Sequence, residues 1–409
     1  MKILFVTPYL PSPPEFGGAR RLHGLMTGLA ARHEVSVCSL VNFADQDQRA
    51  AAVRATSAYC REVITVPNQP FGLSGRTKRE RQMRSLVSGR SFEALTHANS
   101  EFTAGLVELL RRDHFDVVNF EFSHMAPYRS EIHALAGNAR FVLDEHNIEY
   151  DVLRQTAARE SGRARGVYNA VNWRKLKREE FHAWSTFHGC SVTSEGDRDL
   201  LLRDLPGAKV AVVPNAVDLE HFRRPSDAAS PEPLSILFFG AINYFPNSDG
   251  LRFFLDQIAP HIWARLPGAR LRVVGHTPEQ LLSLTSEHVE MRGLVPDIRD
   301  EISRAAVVIA PLRLGGGTRL KILEAMAMAT PVVSTPQGAE GLDVTHGKEL
   351  LLADSPTDFA DEVVRVLQDA PLARRLGEAG RKLVEGSYGW SASIERLEGL
   401  YCELGAGTN

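Results

Sequence analysis

The chain has 409 residues, 44% of them hydrophobic and 24% charged, with a formal net charge of −3. That length exceeds one ordinary core and points to two globular domains of about 200 residues, without the basic excess that a nucleic-acid partner requires. The four cysteines, Cys38, Cys60, Cys190 and Cys402, are scattered and read as reduced thiols. No apolar run approaches the roughly eighteen residues of a membrane span, and the Pro-broken start is no signal peptide, so a cytoplasmic protein is expected.

In chain order, residues 1–8 read as a buried strand, 19–32 as a helix and 34–40 as the next strand, joined through a Pro- and Gly-rich loop. Strand, glycine turn and helix make the first unit of a doubly wound sheet, whose ligands dock at the carboxyl ends of the strands. Gly17 and Gly18 lie in that turn, and Arg20 and Arg21 after it fit either a phosphate contact or a solvated surface. Residues 69–90 carry Arg76, Lys78, Arg79, Arg81, Arg84 and Arg90 against the single acid Glu80. Such a run is a solvated basic helix or a contact with anionic lipid or a lipid-linked diphosphate, where clustered cations gain roughly 1 kcal/mol each.

Residues 115–121 and the run beginning at 141 read as further parallel strands that deliver Glu121, Glu145 and His146 to the ligand edge. A neutral imidazole donates or accepts near pH 7, which suits a sugar hydroxyl. Residues 154–187 are helical in pattern and basic in their later part, with Trp173 and Trp184 spaced for one buried face; such a helix rests on a membrane or packs beneath its charges. The segments CSVTSEGDRDLL and VAVVPNAVDLEHF follow, with Thr193 to Gly196 reading as a helix start.

Residues 225–233, Pro- and Ser-rich, read as a linker, after which SILFFG, ARLRVVG and VEMRGLV restart the βα series. Residues 307–335 organise this half. An apolar strand runs into Gly315, Gly316 and Gly317, a helix is predicted over 318–328 with Thr318 as its cap, and Thr330-Pro331 stops it before the strand PVVST. Glycines opening onto a helix N-terminus form an anion site, Arg319 and Lys321 add cations, and Glu324 is placed to accept from ribose hydroxyls or to pair with Lys321. The two Asp-x-Asp matches, Asp45 with Asp47 and Asp197 with Asp199, read as helix openings, and no metal is expected.

The segment GGGTRLKILEAMAMATPVVST resembles the donor-binding signature of retaining, nucleotide-sugar-dependent glycosyltransferases of family 4 (the group 1 family). The resemblance extends over nearly the whole chain: Gly17 and Gly18 match the first glycine loop, VLDEHNIE the strand-end histidine beside the donor sugar, Gly240 and Gly275 two strand-end turns, and Leu294 the segment at the base edge. Of the family's two glutamates eight positions apart, the second is Glu324 and the first falls on Gly316; the basic residues usual after Gly240 are replaced by Ala241, Ile242, Asn243 and Tyr244. The diphosphate charge then rests on Arg319 and Lys321.

The resemblance implies an α/β protein of the GT-B fold, two Rossmann-like doubly wound domains facing across a cleft. The domains expected are 1–220 on the acceptor side, a linker at 221–234, a nucleotide-sugar domain at 235–386, and a C-terminal helix within 387–409 that crosses back. It implies metal-independent sugar transfer with retention, from a UDP- or GDP-sugar and without a cofactor, to a hydroxyl of a glycan, lipid-linked or small-molecule acceptor in polysaccharide or glycolipid synthesis. His146, Arg319 and Lys321 would be catalytic; Gly17, Gly18, Gly240, Gly275, Leu294, Gly316, Gly317, Thr318 and Glu324 would bind the donor. An anionic membrane surface on the cytoplasmic side is a second partner class. The competing readings are a nucleotide-sugar epimerase or phosphorylase of the same fold and a non-catalytic peripheral membrane protein; a dehydrogenase is disfavoured by the absence of a G-x-G-x-x-G turn near the N-terminus.

Overall fold

The structure is a computed structural model that describes residues 1–43, 45–68, 75–159, 162–225, 230–276 and 278–407. The start of the basic stretch, 69–74, and the middle of the expected linker, 226–229, lie outside the described residues. Contacts divide the chain into two compact units, Met1–Pro214 with Ser393–Asn409, and Asn215–Ala392.

The first unit is built on seven parallel strands: β1 (Lys2–Thr7), β2 (Glu34–Val41), β3 (Glu62–Pro67), β4 (Val117–Glu121), β5 (Arg140–Glu145), β6 (Gly189–Val192) and β7 (Val210–Val212). Their order is β3-β2-β1-β4-β5-β6-β7. The run Ile3, Leu4, Phe5 and Val6 is wholly buried because helices cover both faces of such a sheet, so an unbroken apolar strand is the stable solution. The strand order turns round at β1, which pairs with β2 on one side and β4 on the other, Phe5 lying opposite Val37 and Asn119. The carboxyl end of that junction is where such sheets take ligands.

The second unit repeats the plan with β8 (Ser235–Phe239), β9 (Arg270–Val274), β10 (Val289–Gly293), β11 (Val307–Ala310), β12 (Val332–Ser334) and β13 (Leu351–Leu352), all parallel, in the order β10-β9-β8-β11-β12-β13. Here the order turns at β8, between β9 and β11. The two doubly wound α/β units are those expected from the βα periodicity.

Several elements differ from expectation. The first helix begins at the glycines themselves, Gly17–Ala30, and the helical stretch after β5 is two helices, Glu149–Arg159 and Arg163–Thr186. The cations of the second basic stretch are largely used within the fold. Lys175 Nζ donates to the carbonyls of Ser85, Leu86 and Ser88, Arg178 donates to that of Gly89, and Lys177 pairs with Asp204. Lys175 thereby closes the C-terminal turn of the basic helix Gly75–Val87, whose last carbonyls have no partner within the helix.

Candidate functional site

In the second unit the chemistry gathers at the carboxyl ends of β8, β9 and β10. Three glycines stand side by side there, all in left-handed backbone: Gly240 at φ +134°, Gly275 at φ +137° and Gly293 at φ +67°. Gly240 N–H donates to the Val274 carbonyl and Gly275 N–H to the Gly293 carbonyl, at 3.0 and 2.8 Å. A Cβ on Gly275 would lie 1.8 Å from the Gly240 carbonyl oxygen, so only glycine lets these strand ends approach so closely. Leu294, next to Gly293, is 76% exposed, an apolar side chain held out beside the turn.

Lys321 reaches this edge from the helix Leu320–Ala327. Its ammonium donates to Asn247 Oδ1 at 2.7 Å and lies 4.6 Å from the centre of the Phe238 ring. Burial, and then the neighbouring Arg319, lower its pKa to about 7, with Glu324 opposing them. Asn247, in the helix Phe245–Phe253, has its amide fixed at both ends: Nδ2 donates to the Ala241 carbonyl at 2.8 Å, so Oδ1 must face the lysine. Sequence reasoning missed Asn247, although Ala241 to Tyr244, just before it, had stood out as lacking the usual cations.

The glycine loop departs from expectation in detail. The helix starts at Leu320, with Arg319 rather than Thr318 at its N-cap and no side-chain cap. Thr318 is drawn off by Asn215, whose backbone N–H donates to Thr318 Oγ1 at 3.0 Å and whose Nδ2 donates to the Thr318 carbonyl at 2.9 Å. The Arg319 guanidinium turns back on its own loop, donating to the Gly316 carbonyl and packing over Gly315. Gly317 takes a left-handed φ of +69°, and Glu324 is buried in the helix.

In the first unit the corresponding strand ends carry a buried polar network. Arg21 forms a two-pronged pair with Asp144, Nε to Oδ2 and Nη2 to Oδ1, both 2.8 Å, and gives a third bond to the Val213 carbonyl. The guanidinium is 1% exposed, so Arg21 is neither a phosphate contact nor a surface charge. Burial pushes the Asp144 carboxyl up, but Arg21 outweighs it and holds the carboxyl below its ordinary range. Glu121 is raised well above its ordinary value, first by burial and then by Asp144.

His146 sits against this network, Nε2 2.7 Å from Glu121 Oε2 and 3.6 Å from Asp144 Oδ2. Burial lowers its pKa to about 3, the charge of Asp144 opposing. Asn119 Nδ2 donates to Glu121 at 2.7 Å, and Tyr401, from the last helix Trp390–Glu403, donates to Asn119 Oδ1 at 3.0 Å. A histidine and two carboxylates have the composition of a divalent-cation site. Both oxygens of Asp144 already take hydrogen bonds from Arg21, and Ser191 adds a third at 2.6 Å, so the cluster is compensated by its own guanidinium.

The Phe122 ring covers His146 at 3.9 Å between centres, from a residue with φ +67°. A non-glycine residue there is strained, a condition met most often where function requires it. Gly17 and Gly18 open the first helix beside Tyr9; a Cβ on Gly18 would fall 2.0 Å from Tyr9 Oη. Glu145 is structural, accepting from Trp184 Nε1 at 2.9 Å and Ser123 N–H at 3.2 Å. Sequence reasoning also missed Asp144, although it lies only two residues before His146, near the carboxyl end of β5.

Residues 17–221 match the family profile described as Glycosyltransferase Family 4, and residues 233–369 match that described as Glycosyl transferases group 1. The chain belongs to this glycosyltransferase family. Relatives of the chain include a D-inositol 3-phosphate glycosyltransferase of Corynebacterium jeikeium, 29% identical over 225 residues, 49% of this chain and 53% of the relative. A GDP-mannose-dependent alpha-(1-6)-phosphatidylinositol monomannoside mannosyltransferase of Mycobacterium tuberculosis is 29% identical over 217 residues, 47% of this chain and 55% of the relative. The chain thus spans about half the length of these curated relatives. Its two parallel-sheet units match solved structures of the GT-B fold. Sucrose-phosphate synthase from Thermosynechococcus elongatus superposes with a TM-score of 0.71 at 18% identity, covering 99% of this chain and 100% of that one. Anabaena Alr3699/HepE, in complex with UDP and glucose, gives 0.67 at 15% identity, covering 98% of each chain.

Proposed function

We propose that this glycosyltransferase moves a sugar from a nucleoside-diphosphate donor, a UDP- or GDP-sugar, to a hydroxyl acceptor with retention at the anomeric carbon and without a metal ion. The observation that carries the reading is the Lys321 ammonium held at the glycine-lined ends of β8 and β9. As the glycosidic bond breaks, negative charge grows on the departing diphosphate, and a fixed cation in a poorly solvated place stabilises that charge most. In this reading Lys321 and Arg319 meet the diphosphate, with Gly240, Gly275, Gly316, Gly317 and Thr318 lining its path. Glu324 holds the ribose, Leu294 packs on the base, Gly17 and Gly18 let the chain approach the ligand, and His146 bonds a sugar hydroxyl. Names of relatives support the donor class: one is GDP-mannose-dependent, and HepE is in complex with UDP and glucose.

A thermal-shift panel of UDP- and GDP-sugars, followed by turnover with and without hydroxyl acceptors, tests it. Lys321→Ala should lower kcat by about 100-fold, the usual scale for loss of one transition-state donor. Full activity in that variant would remove the cation from the mechanism, and conversion of donor alone would indicate an epimerase.

The acceptor is proposed to be a glycan or lipid-linked hydroxyl at the cytoplasmic face of a membrane. No helix among the described residues is long and apolar enough to cross a membrane. The basic helix Gly75–Val87 nevertheless exposes Met83 and Val87, at 69% and 88%, among its arginines. Apolar side chains set among cations suit the headgroup boundary of an anionic bilayer. Sedimentation with phosphatidylglycerol vesicles should fall when Arg76, Lys78, Arg79 and Arg84 are changed to Glu; unchanged binding would remove the helix from that role.

A further inference from the structure

We propose that Asn215 is a positioning residue for the donor's diphosphate: it draws the hydroxyl and carbonyl of Thr318 aside, so that the helix Leu320–Ala327 does not cap itself and keeps its first amides open for the anion. This assignment rests on the donor reading above and concerns what that reading leaves open, how the helix end is kept ready before the ligand arrives.

The first amides of a helix have no partner within it, and a Ser, Thr, Asp or Asn just before the helix ordinarily takes one of them. Here the residue at the cap is Arg319, whose guanidinium carries donors only, and no acidic residue stands in the first turn. The Ile322 and Leu323 amides fall back on the Arg319 carbonyl, at 3.0 and 3.4 Å. Among the described residues, the amides of Leu320 and Lys321 have no hydrogen bond.

The acceptor that would close them is present but occupied. Thr318 lies two residues before Leu320 and three before Lys321, the separations over which a threonine hydroxyl takes backbone amides. Its Oγ1 instead accepts from the Asn215 N–H at 3.0 Å, while Asn215 Nδ2 donates to the Thr318 carbonyl at 2.9 Å. One bond fixes the hydroxyl and the other fixes the peptide that carries it, and Thr318 is buried in that position. The helix end is thus left with two open donors, the side chains of Arg319 and Lys321 and no negative group in the first turn. A diphosphate supplies what is missing. A self-capped helix would first have to give up its own bond.

In Asn215→Ala the carbonyl is released, and a single backbone bond from residue 215 is left to hold the hydroxyl against two competing amides. Amide hydrogen exchange of the whole chain, without ligand, reads the cap. Leu320 and Lys321 should exchange as open amides in the parent and about fivefold more slowly in Asn215→Ala, the scale of one capping bond. Asn215→Leu, which keeps the volume without the donor, should slow the same two amides. Calorimetry with UDP and with GDP reads the consequence. Asn215→Ala should weaken whichever nucleotide the parent binds by about fivefold, and the double variant Asn215→Ala/Thr318→Val should bind it as tightly as Thr318→Val alone, because without the hydroxyl there is no cap for Asn215 to prevent. A merely structural contact predicts otherwise: the Thr318→Val background keeps the carbonyl that Asn215 holds, so the loss would persist there. Equal exchange in the parent and both Asn215 variants, or a loss that persists in the Thr318→Val background, would overturn the role of Asn215 and leave the donor reading intact. Failure of both UDP and GDP to bind the parent would overturn the donor reading and this assignment with it.

Discussion

At the residue scale, the first unit buries four ionisable side chains side by side at its strand ends. Arg21, Asp144, Glu121 and His146 together carry one certain cation and one certain anion, and the remaining pair is kept neutral by cost: burial raises Glu121 and lowers His146. A charge buried without a partner costs far more than a shifted pKa, so the groups neutralise instead. With its pKa lowered to about 3, His146 is an uncharged hydrogen-bonding group across the physiological range. On the proposed function, the rate of sugar transfer should therefore show no inflection near pH 6.5 that belongs to this histidine. Comparing kcat against pH for the parent and a His146→Gln variant checks this, and an acid limb near 6.5 present only in the parent would overturn it.

At the element scale, strand ends decide the site, and the three glycines at β8, β9 and β10 give a graded test of why. Gly275→Ala puts a methyl group 1.8 Å from the Gly240 carbonyl in a left-handed backbone, so both sterics and conformation oppose it. Gly293→Ala meets nothing within 4 Å and bears only the conformational cost, about 1–2 kcal/mol. The first variant should lose the proposed nucleotide binding and lower the melting temperature sharply, the second should fold with a modest shift; equal shifts would show that packing at this edge is slack.

The same scale explains how much was legible beforehand. Buried parallel strands such as Lys2–Thr7 and Val307–Ala310 announce themselves as apolar runs between turns, and the glycine loop as a break before a helix. The strand Glu62–Pro67 escaped notice because it is the sheet's edge and most of it is only half-buried, while Leu351–Leu352 has two residues. Arg21 was misjudged for a different reason. Its partner lies 123 positions along the chain, and nothing local to GGARR says that a buried carboxylate waits there. Thr318 was expected at a cap because Thr before a helix usually is one, and Asn215, from 103 positions away, claimed its hydroxyl instead.

For the whole molecule, these buried groups set a pH profile of stability with two limbs. His97 and His146, lowered by burial to about 4 and about 3, stay neutral in the folded chain while the unfolded chain binds protons near its ordinary histidine value. Their contribution is complete above about pH 6.5 and is lost as pH falls toward 4 and 3. Glu145 and Glu149, raised by burial to about 8 and about 7, do the reverse: the folded chain keeps protons that the unfolded chain has released, so their contribution is present below about pH 4.5 and lost as pH rises through 7 and 8. Between about 4.5 and 6.5 the two sets oppose each other, and outside that window each acts alone. Lys321, lowered to about 7 in the other unit, adds stability as pH rises above 7 and works against the glutamates there. A chain of two units need not unfold in one step, so the informative quantity is the difference between parent and variant midpoints rather than a single free energy. Glu145→Gln removes one titrating group; its amide oxygen can keep the bond from Trp184, while its NH2 stands where the second oxygen accepted from Ser123, a loss that does not vary with pH. Its urea midpoint relative to the parent should rise between pH 6.5 and 8 and level off below about 4.5; a difference constant from pH 4.5 to 8.5 would show that Glu145 keeps an ordinary pKa in the folded chain.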